Sequence, residues 1–171
     1  MKKYIFILTI NVILILVSVN SLFSQETARK QIGISATLQG EQYGFLIPIW
    51  IGDQITIAPA VDFKYAEKVG LDYSIGIVPK YYLRKGKVMP FIDLKGGVLF
   101  NNPSKENINK NTMDWILGAG FGGEYFIDKN LSIGIELQGN FTISDKNSYR
   151  FGNPDGLNFN TATMIYASIY F

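Results

Sequence analysis

The segment Leu131 to Ser144, LSIGIELQGNFTIS, constrains the fold more than any other part of this chain. Its odd-numbered residues are apolar apart from Gly139, and its even-numbered residues are polar apart from Gly134. Successive side chains of a strand point to opposite faces, so this strand has one apolar and one polar face. Strands of soluble proteins usually have about 5–6 residues, whereas a tilted strand that crosses a bilayer needs roughly 9–11. This segment is therefore long enough to cross a membrane.

The same alternation predicts seven further strands, joined by polar or glycine-containing turns. They are Ile32–Gln39, Tyr43–Ile51, Ile55–Tyr65, Leu71–Leu83, Val88–Phe100, Met113–Ile127 and Asn160–Phe171. No stretch after Gln25 shows the 3.6-residue period of a helix. The hairpin registers are consistent with this division, because pairing Ile51 with Ile55, or Ile127 with Leu131, keeps apolar residues opposite one another. Pro48, Pro59 and Pro79 lie inside these strands, where each removes a donor and a bulge is one way to accommodate it.

Residues 1–25 are predicted to be a signal peptide, which leaves residues 26–171 as one mature domain. Lys2 and Lys3 precede an almost unbroken apolar run from Tyr4 to Val17, and small polar residues follow near Ser24–Gln25. A transmembrane anchor is the alternative, but the apolar run is shorter than the ~20 residues that a spanning helix needs. No cysteine is present, so the protein is not expected to be a lipid-anchored lipoprotein.

Composition excludes several classes of function. Without the two lysines of the signal peptide, the chain has as many basic as acidic residues, so it has no basic footprint for nucleic acid. It contains no histidine and no cysteine, which removes the commonest general base and the commonest metal ligands. We therefore expect no catalytic residues, no cofactor and no metal site.

The apolar face could point into a soluble, lipocalin-like barrel or outward into lipid. Aromatic residues gather near the two ends of the predicted strands, as in the two girdles of a membrane barrel. The expected girdle residues are Tyr65, Tyr73, Phe100, Trp115 and Phe141 at one rim and Tyr81, Tyr125 and Phe171 at the other. In lipid, every backbone polar group needs a partner, so the sheet must close on itself. We predict an all-β, eight-stranded antiparallel up-and-down transmembrane barrel with short periplasmic turns and extracellular loops at 101–112 and 145–159.

Two features carry a family resemblance: the strands with alternating apolar and polar residues, and the carboxyl-terminal segment TATMIYASIYF, which ends in Phe171. In these features the chain resembles small eight-stranded outer-membrane proteins of the OmpA/OmpX-like, porin-family type. The resemblance implies location in the outer membrane of a Gram-negative cell envelope, contact with its lipid, and recognition of the last strand by the barrel-assembly machinery. It also implies a monomer.

The polar face places charged residues of both signs in the predicted lumen. These residues are Asp62, Lys64, Asp72, Lys80, Asp93, Lys95, Asp114, Glu124 and Glu136. Lys64 is expected opposite Asp72, so an ion pair is predicted there. Paired carboxylates such as Glu124 and Glu136 can serve as acid and base. The alternative, which we favour, is a structural polar network that fills a barrel too narrow for a channel.

The segment from Gly118 to Gly123 matches G-x-G-x-x-G, the fingerprint of a dinucleotide site. That site requires the glycines to follow a strand and to open a helix. Here Glu124–Ile127 continues an alternating strand, so the glycines are interpreted as small inward-facing residues.

The loops remain the candidate binding surface. Tyr149, Arg150, Phe151 and Phe159 lie in the 145–159 loop, and aromatic and arginine side chains are enriched at binding hot spots. The other long loop contributes Asn101, Asn102 and Lys105. A solvated loop without a ligand is the simpler alternative. The sequence thus favours a non-enzymatic membrane barrel with a structural or adhesive role, before a narrow pore for small solutes and a lipid-modifying enzyme.

Overall fold

The computed structural model describes residues 31–67, 70–104 and 110–171. The predicted signal peptide and Lys105 lie outside the described residues. The strand segments are β1 Gly33–Gln39, β2 Gln42–Leu46, β3 Ile49–Trp50, β4 Ile55–Ala66, β5 Gly70–Tyr82, β6 Val88–Pro103, β7 Thr112–Phe126, β8 Leu131–Ile143 and β9 Leu157–Tyr170. Within the described part of the chain, no helix is long and apolar enough to cross a membrane.

The strands form a closed antiparallel barrel. β1 pairs with β2 on one side and with β9 on the other, and from β4 to β9 each strand pairs with the next. β2 and β3 both pair with β4 in one continuous register, so together they act as a single strand. The nine segments therefore make an eight-stranded up-and-down barrel, which confirms the predicted fold.

The apolar face points away from the barrel axis, as the alternation predicts. Ile133 is 49% exposed, Ile135 is 53% exposed and Leu137 is 45% exposed, whereas the intervening Glu136 is 1% exposed. The other strands repeat this pattern of large exposed apolar residues and buried polar ones. A soluble barrel would have the opposite arrangement, so these faces are those of a transmembrane barrel.

The predicted registers are confirmed. Ile49 pairs with Ile57 in the second hairpin, and Tyr125 pairs with Ile133 in the hairpin that ends at Ile127 and Leu131. Most strand ends agree with the prediction to within one residue, but β6 extends to Pro103 and β9 begins at Leu157, each three residues beyond the predicted limit. The two long loops are consequently shorter than predicted, and Phe159 belongs to a strand.

The expected proline bulges are absent from the described strands. Pro48 lies between β2 and β3, yet its carbonyl still accepts a hydrogen bond from Gly33 N at 2.8 Å. Pro59 pairs with Ile77, and the β4–β5 ladder passes through both Pro59 and Pro79 without a shift. In the β5–β6 ladder the pairing stops beside Pro79 and resumes at Lys80 in the same register. A missing donor therefore leaves a gap in the hydrogen bonding and no change of register.

The two ends of the barrel differ in the lengths of their connections. The loop end carries the connections 40–41, 67–69, 104–111 and 144–156, and the turn end carries 51–54, 83–87 and 127–130. The first described strand begins at the turn end and the last strand finishes there.

Burial of the outward face in lipid gives a depth-dependent prediction. Leu137 lies at the middle of β8, and Leu83 lies just beyond the turn-end limit of β5. Arginine costs about 2–4 kcal/mol at the bilayer midplane but only about 0–1 kcal/mol near the interfaces. Leu137→Arg should therefore lower the free energy of unfolding in lipid vesicles by about 2–4 kcal/mol, and Leu83→Arg by less than about 1 kcal/mol. Equal losses in denaturant titrations would contradict this orientation of the strands.

Candidate functional site

The turn-end half of the lumen is filled by a cluster built around Glu124, whose side chain is fully buried. Four hydroxyl groups donate to its carboxylate: Tyr82 Oη at 2.5 Å, Ser132 Oγ at 2.5 Å, Tyr170 Oη at 2.9 Å and Tyr166 Oη at 3.0 Å. These donors come from β5, β8 and β9, so one carboxylate on β7 ties together strands on several sides of the barrel. Hydrogen bonds to charged groups contribute about 1.5–3 kcal/mol each.

Lys80 places a positive charge against this cluster. Its Nζ lies 3.9 Å from Glu124 Oε2 and donates to Tyr166 Oη at 2.9 Å. It also lies 3.9 Å from the centre of the Phe91 ring, within the range of a cation–π contact. Burial of the Lys80 ammonium or the Glu124 carboxylate alone would cost several kcal/mol, so each charge compensates the desolvation of the other. We call Lys80, Tyr82, Glu124, Tyr166 and Tyr170 the glutamate–tyrosine cluster.

A second charged layer lies above this cluster towards the loop end. Lys95 Nζ is 2.5 Å from Glu136 Oε1, and the Glu136 side chain is fully buried. Asp93 is also buried, at 4% exposure, and its oxygens accept no hydrogen bond from any described protein group. Gly120 makes room for both carboxylates, since a Cβ there would lie 2.7 Å from Asp93 Oδ1 and 2.8 Å from Glu136 Oε1.

A chamber of about 160 Å³ lies between this layer and the loop end. Its lining combines polar side chains, such as Gln138, Asn140 and Arg150, with apolar ones, such as Leu46 and Leu99. Asp62 accepts a hydrogen bond from Ser74 Oγ at 2.9 Å on its wall. The side chains of the glutamate–tyrosine cluster are buried and occupy the barrel below the chamber.

The connection 144–156, which we call the mouth loop, folds over the chamber. Asp145 N donates to Asp114 Oδ1 at 2.8 Å, and Ser148 Oγ donates to Asp114 Oδ2 at 2.8 Å. Arg150 forms an ion pair with Asp72, which also accepts a hydrogen bond from Asn101. Burial lowers the pKa of the Arg150 guanidinium. The lumen carboxylates Asp114 and Asp72 thus hold the loop at two points.

The predicted Lys64–Asp72 ion pair is wrong, although the two residues are directly opposite each other in the β4–β5 register. Lys64 Nζ instead lies 2.9 Å from Glu41 Oε2, in the turn between β1 and β2, and Asp72 is taken by Arg150. The hydrogen bond and the charge of Lys64 lower the pKa of the Glu41 carboxyl. This contact therefore stabilises the folded state at neutral pH and is lost as the pH falls through that lowered pKa.

The remaining candidate residues are divided between three regions. The nine predicted luminal charges all have buried or half-buried side chains on the polar face. The girdle residues lie on the outward face, where Tyr73 stacks on Phe100 with ring centres 4.9 Å apart. The four loop residues do not form one patch: Tyr149 is exposed, Arg150 and Phe151 line the chamber, and Phe159 packs against Phe141 on the lipid-facing side.

Sequence reasoning missed the inward-facing aromatic residues that complete the cluster. Tyr82, Tyr166 and Tyr170 have even numbers on strands whose even-numbered residues point inward. Continuing the alternation past Lys80 and through the last strand would have found them. Their hydroxyl groups were not expected there because the large apolar residues of the same strands face lipid.

The glycine motif is structural. Residues 118–123 lie wholly within β7, with no helix after them, so the interpretation that they are small residues in a strand is confirmed. A Cβ on Gly122 would lie 2.1 Å from Ile135 O, a backbone atom of the neighbouring strand.

Several solved structures share this architecture, two of which are described here, whereas no protein-family model matches the sequence and no curated protein is detectably similar in sequence. The N-terminal β-barrel domain of Pseudomonas aeruginosa OprF has a TM-score of 0.63 at 12% identity, over 82% of this chain and 96% of that one. Neisserial surface protein A (NspA) has a TM-score of 0.59 at 12% identity, over 82% of this chain and 94% of that one. The chain therefore has the fold of small eight-stranded outer-membrane β-barrels.

The two neighbouring glycines of β7 provide a matched test of the motif. Gly122→Ala forces a Cβ against the backbone of β8, and overpacking of this kind costs about 1–3 kcal/mol. At Gly123 an added Cβ meets no atom within 4 Å, so Gly123→Ala should leave stability unchanged or raise it by up to about 1 kcal/mol. Unfolding titrations in lipid vesicles measure both effects. Equal stability of the two variants would contradict the assigned faces.

The anchors of the mouth loop predict its susceptibility to protease. Asp114→Asn and Asp72→Asn each weaken one attachment of the loop, so local opening should become more frequent. Trypsin should then cut after the exposed Lys146 several-fold faster in folded, micelle-bound protein, which mass spectrometry can follow. Asp155→Asn in the same loop is the control, and trypsin should cleave this variant at the wild-type rate. Unchanged rates in the first two variants would show that the loop is held by other contacts.

Proposed function

We propose that this chain is a monomeric outer-membrane β-barrel protein with a structural or surface-binding role and without catalytic activity. Residues 1–25 direct its export in this proposal, and the mature barrel lies in the outer membrane of a Gram-negative cell. The loop end faces the outside, because membrane barrels have short periplasmic turns and longer extracellular loops. The fold shared with the OprF barrel domain and with NspA supports this location.

The filled lumen is the observation that carries the proposal. A pore needs a continuous aqueous path, but here Glu124 and its four hydroxyl donors fill the turn-end half of the barrel. Opening this cluster would leave buried charges without partners, which typically costs 3–5 kcal/mol. In this proposal the chamber therefore ends blindly, and the narrow pore is the less favoured function.

The mouth loop supports a surface-binding role. Asp114 and Asp72 hold the loop in one arrangement, so binding of a partner would cost little conformational entropy for ordering the loop. The loop presents Tyr149, which is 74% exposed, on this fixed support. No comparable observation favours a lipid-modifying enzyme, and the sequence contains no histidine to serve as a general base.

The last strand supports the proposed route of assembly. β9 closes the barrel against β1, and Phe171 N donates to Ile32 O at 2.8 Å just beyond the strand. Phe171 itself remains exposed at the turn end, which faces the periplasm in this proposal. This strand is the segment that we expect the barrel-assembly machinery to recognise.

Conductance in planar bilayers tests the proposal against the pore. The purified mature protein should insert, as verified by heat-modifiable migration on gels, and give no steady single-channel currents. Lys80→Ala combined with Tyr166→Ala removes two large side chains from the lumen and serves as the comparison. Steady channels in the wild-type protein would overturn the structural or adhesive assignment.

Surface attachment tests the role of the mouth loop. Cells expressing the protein should bind matrix-coated surfaces more strongly than cells lacking it, and Tyr149→Ala should reduce this binding about tenfold, as expected for a hot spot of about 1.4 kcal/mol. Tyr65→Ala is the matched control, because Tyr65 is 70% exposed but lies on the outward face of β4. Attachment that is independent of both tyrosines would exclude Tyr149 as the binding residue.

A further inference from the structure

Asp93 is a buried carboxyl group without a hydrogen-bond donor. It lies on the inward face of β6 and is 4% exposed. Neither of its side-chain oxygens has a hydrogen-bond partner among the described residues. A buried carboxylate that lacks both donors and a counter-charge is far less stable than the neutral acid, so such a group keeps its proton. The surroundings of Asp93 show whether a counter-charge is available.

The two lysines beside Asp93 are both directed to other acids. Lys80 lies directly opposite Asp93 in the β5–β6 register, yet its Nζ lies 3.9 Å from Glu124 Oε2. Lys95 shares the inward face of β6 with Asp93, but its Nζ lies 2.5 Å from Glu136 Oε1. In the described part of the chain, no ion pair joins Asp93 to a basic side chain. Neither lysine therefore supplies the missing donor.

A second carboxyl group, that of Glu136 on β8, lies next to Asp93. Gly120 of β7 pairs with Asp93, and a Cβ built on it would lie 2.7 Å from Asp93 Oδ1 and 2.8 Å from Glu136 Oε1. Both oxygens therefore border the same small space, and the two carboxyl groups are within hydrogen-bonding reach of each other. Two carboxylates cannot form a hydrogen bond because both are acceptors, whereas a carboxylic acid can donate to a carboxylate.

The charges around this pair also favour one retained proton. The ionisable groups that face Asp93 come from every neighbouring strand, namely Lys80 on β5, Lys95 on β6, Glu124 on β7, Glu136 on β8 and Tyr166 on β9, which contacts Lys80. If all the acids were ionised, three carboxylates would face two ammonium groups, because tyrosine is neutral at pH 7. Asp62 on β4 faces Lys95 from the chamber wall and adds a further negative charge. One proton on Asp93 balances the three carboxyl groups against the two lysines.

We propose that Asp93 and Glu136 form a proton-binding site in the lumen, in which Asp93 keeps one proton at neutral pH and donates it to Glu136. Glu136 then accepts from both Asp93 and Lys95. The proton comes from water when the barrel folds, because the Asp93 carboxyl of the unfolded chain is solvated and ionised at pH 7. No other bond changes in this step. The site goes beyond the structural or surface-binding role, since it does not involve the mouth loop.

Proton uptake on folding makes the barrel less stable as the pH rises. Between the ordinary titration of a carboxyl group near pH 4 and neutrality, the folded barrel binds one proton more than the unfolded chain. The equilibrium constant for folding then falls about tenfold for each pH unit because of this group. The contact between Glu41 and Lys64 has the opposite sign and acts at lower pH, since it lowers the pKa of the Glu41 carboxyl.

Urea titrations of the mature protein in lipid vesicles, between about pH 5 and 7, test the proposal with Asp93→Asn. The amide of this variant can donate to Glu136 but does not titrate. It should therefore lose the tenfold dependence per pH unit and be at least as stable as the wild type at pH 7. Asp114→Asn is the matched control, because Asp114 is also fully buried but has donors from Asp145 N and Ser148 Oγ. It should keep the wild-type dependence on pH, whereas equal dependence in the wild type and Asp93→Asn would overturn the proposal.

Infrared difference spectra detect the proton directly. At pH 7 the wild-type protein should show the C=O stretch of a buried carboxylic acid, and this band should be absent from Asp93→Asn and present in Asp114→Asn. Glu136→Gln should also lose the band, because Asp93 is then free to ionise and pair with Lys95, and this variant replaces Asp93→Asn if the latter fails to fold. A band that persists in folded Glu136→Gln would contradict a shared proton. Absence of the band from the wild type, or stability that depends on sodium or potassium ions and not on pH, would show that water or a cation occupies the site.

Discussion

The need of every backbone polar group for a hydrogen-bonding partner in lipid is the constraint on which the rest of this structure depends. An isolated strand cannot meet it, and neither can an open sheet, so the chain closes β1 onto β9. Eight strands make a barrel whose interior is just wide enough for side chains to fill. Closure therefore turns a requirement of the backbone into a packing problem inside the lumen.

The chain solves this packing problem with charges and hydroxyl groups. Glu124 alone joins Tyr82, Tyr166 and Tyr170 across the barrel, and Lys80 balances its charge. Because these side chains are buried, they satisfy one another's hydrogen bonds, and loss of one would leave its partners unsatisfied. In our proposal, the same arrangement that stabilises the barrel also closes it to solutes. Stability and the proposed absence of conduction thus have one physical origin.

The loop end shows where the constraint relaxes. Near the membrane surface water can satisfy backbone groups, so β9 can extend beyond β1 without a partner strand. The lumen residues Asp114 and Asp72 bind Ser148 and Arg150 of the mouth loop. These contacts fix Tyr149 on the exposed surface. The mouth loop, which is proposed for binding, therefore lies where the barrel no longer needs complete internal pairing.

The alternation of apolar and polar residues determined the number of strands, their faces and the hairpin registers, since a slip by one residue would move every side chain to the wrong face. It also predicted the polar face on which the nine named charged residues have buried or half-buried side chains. It could not determine which charges pair, because Lys64 has both Asp72 and Glu41 within reach and Arg150 arrives from a loop 78 positions further along the chain than Asp72. Only the tertiary structure decided these contacts and the length by which β9 extends past β1, because both depend on how strands distant in sequence lie beside one another after the barrel closes.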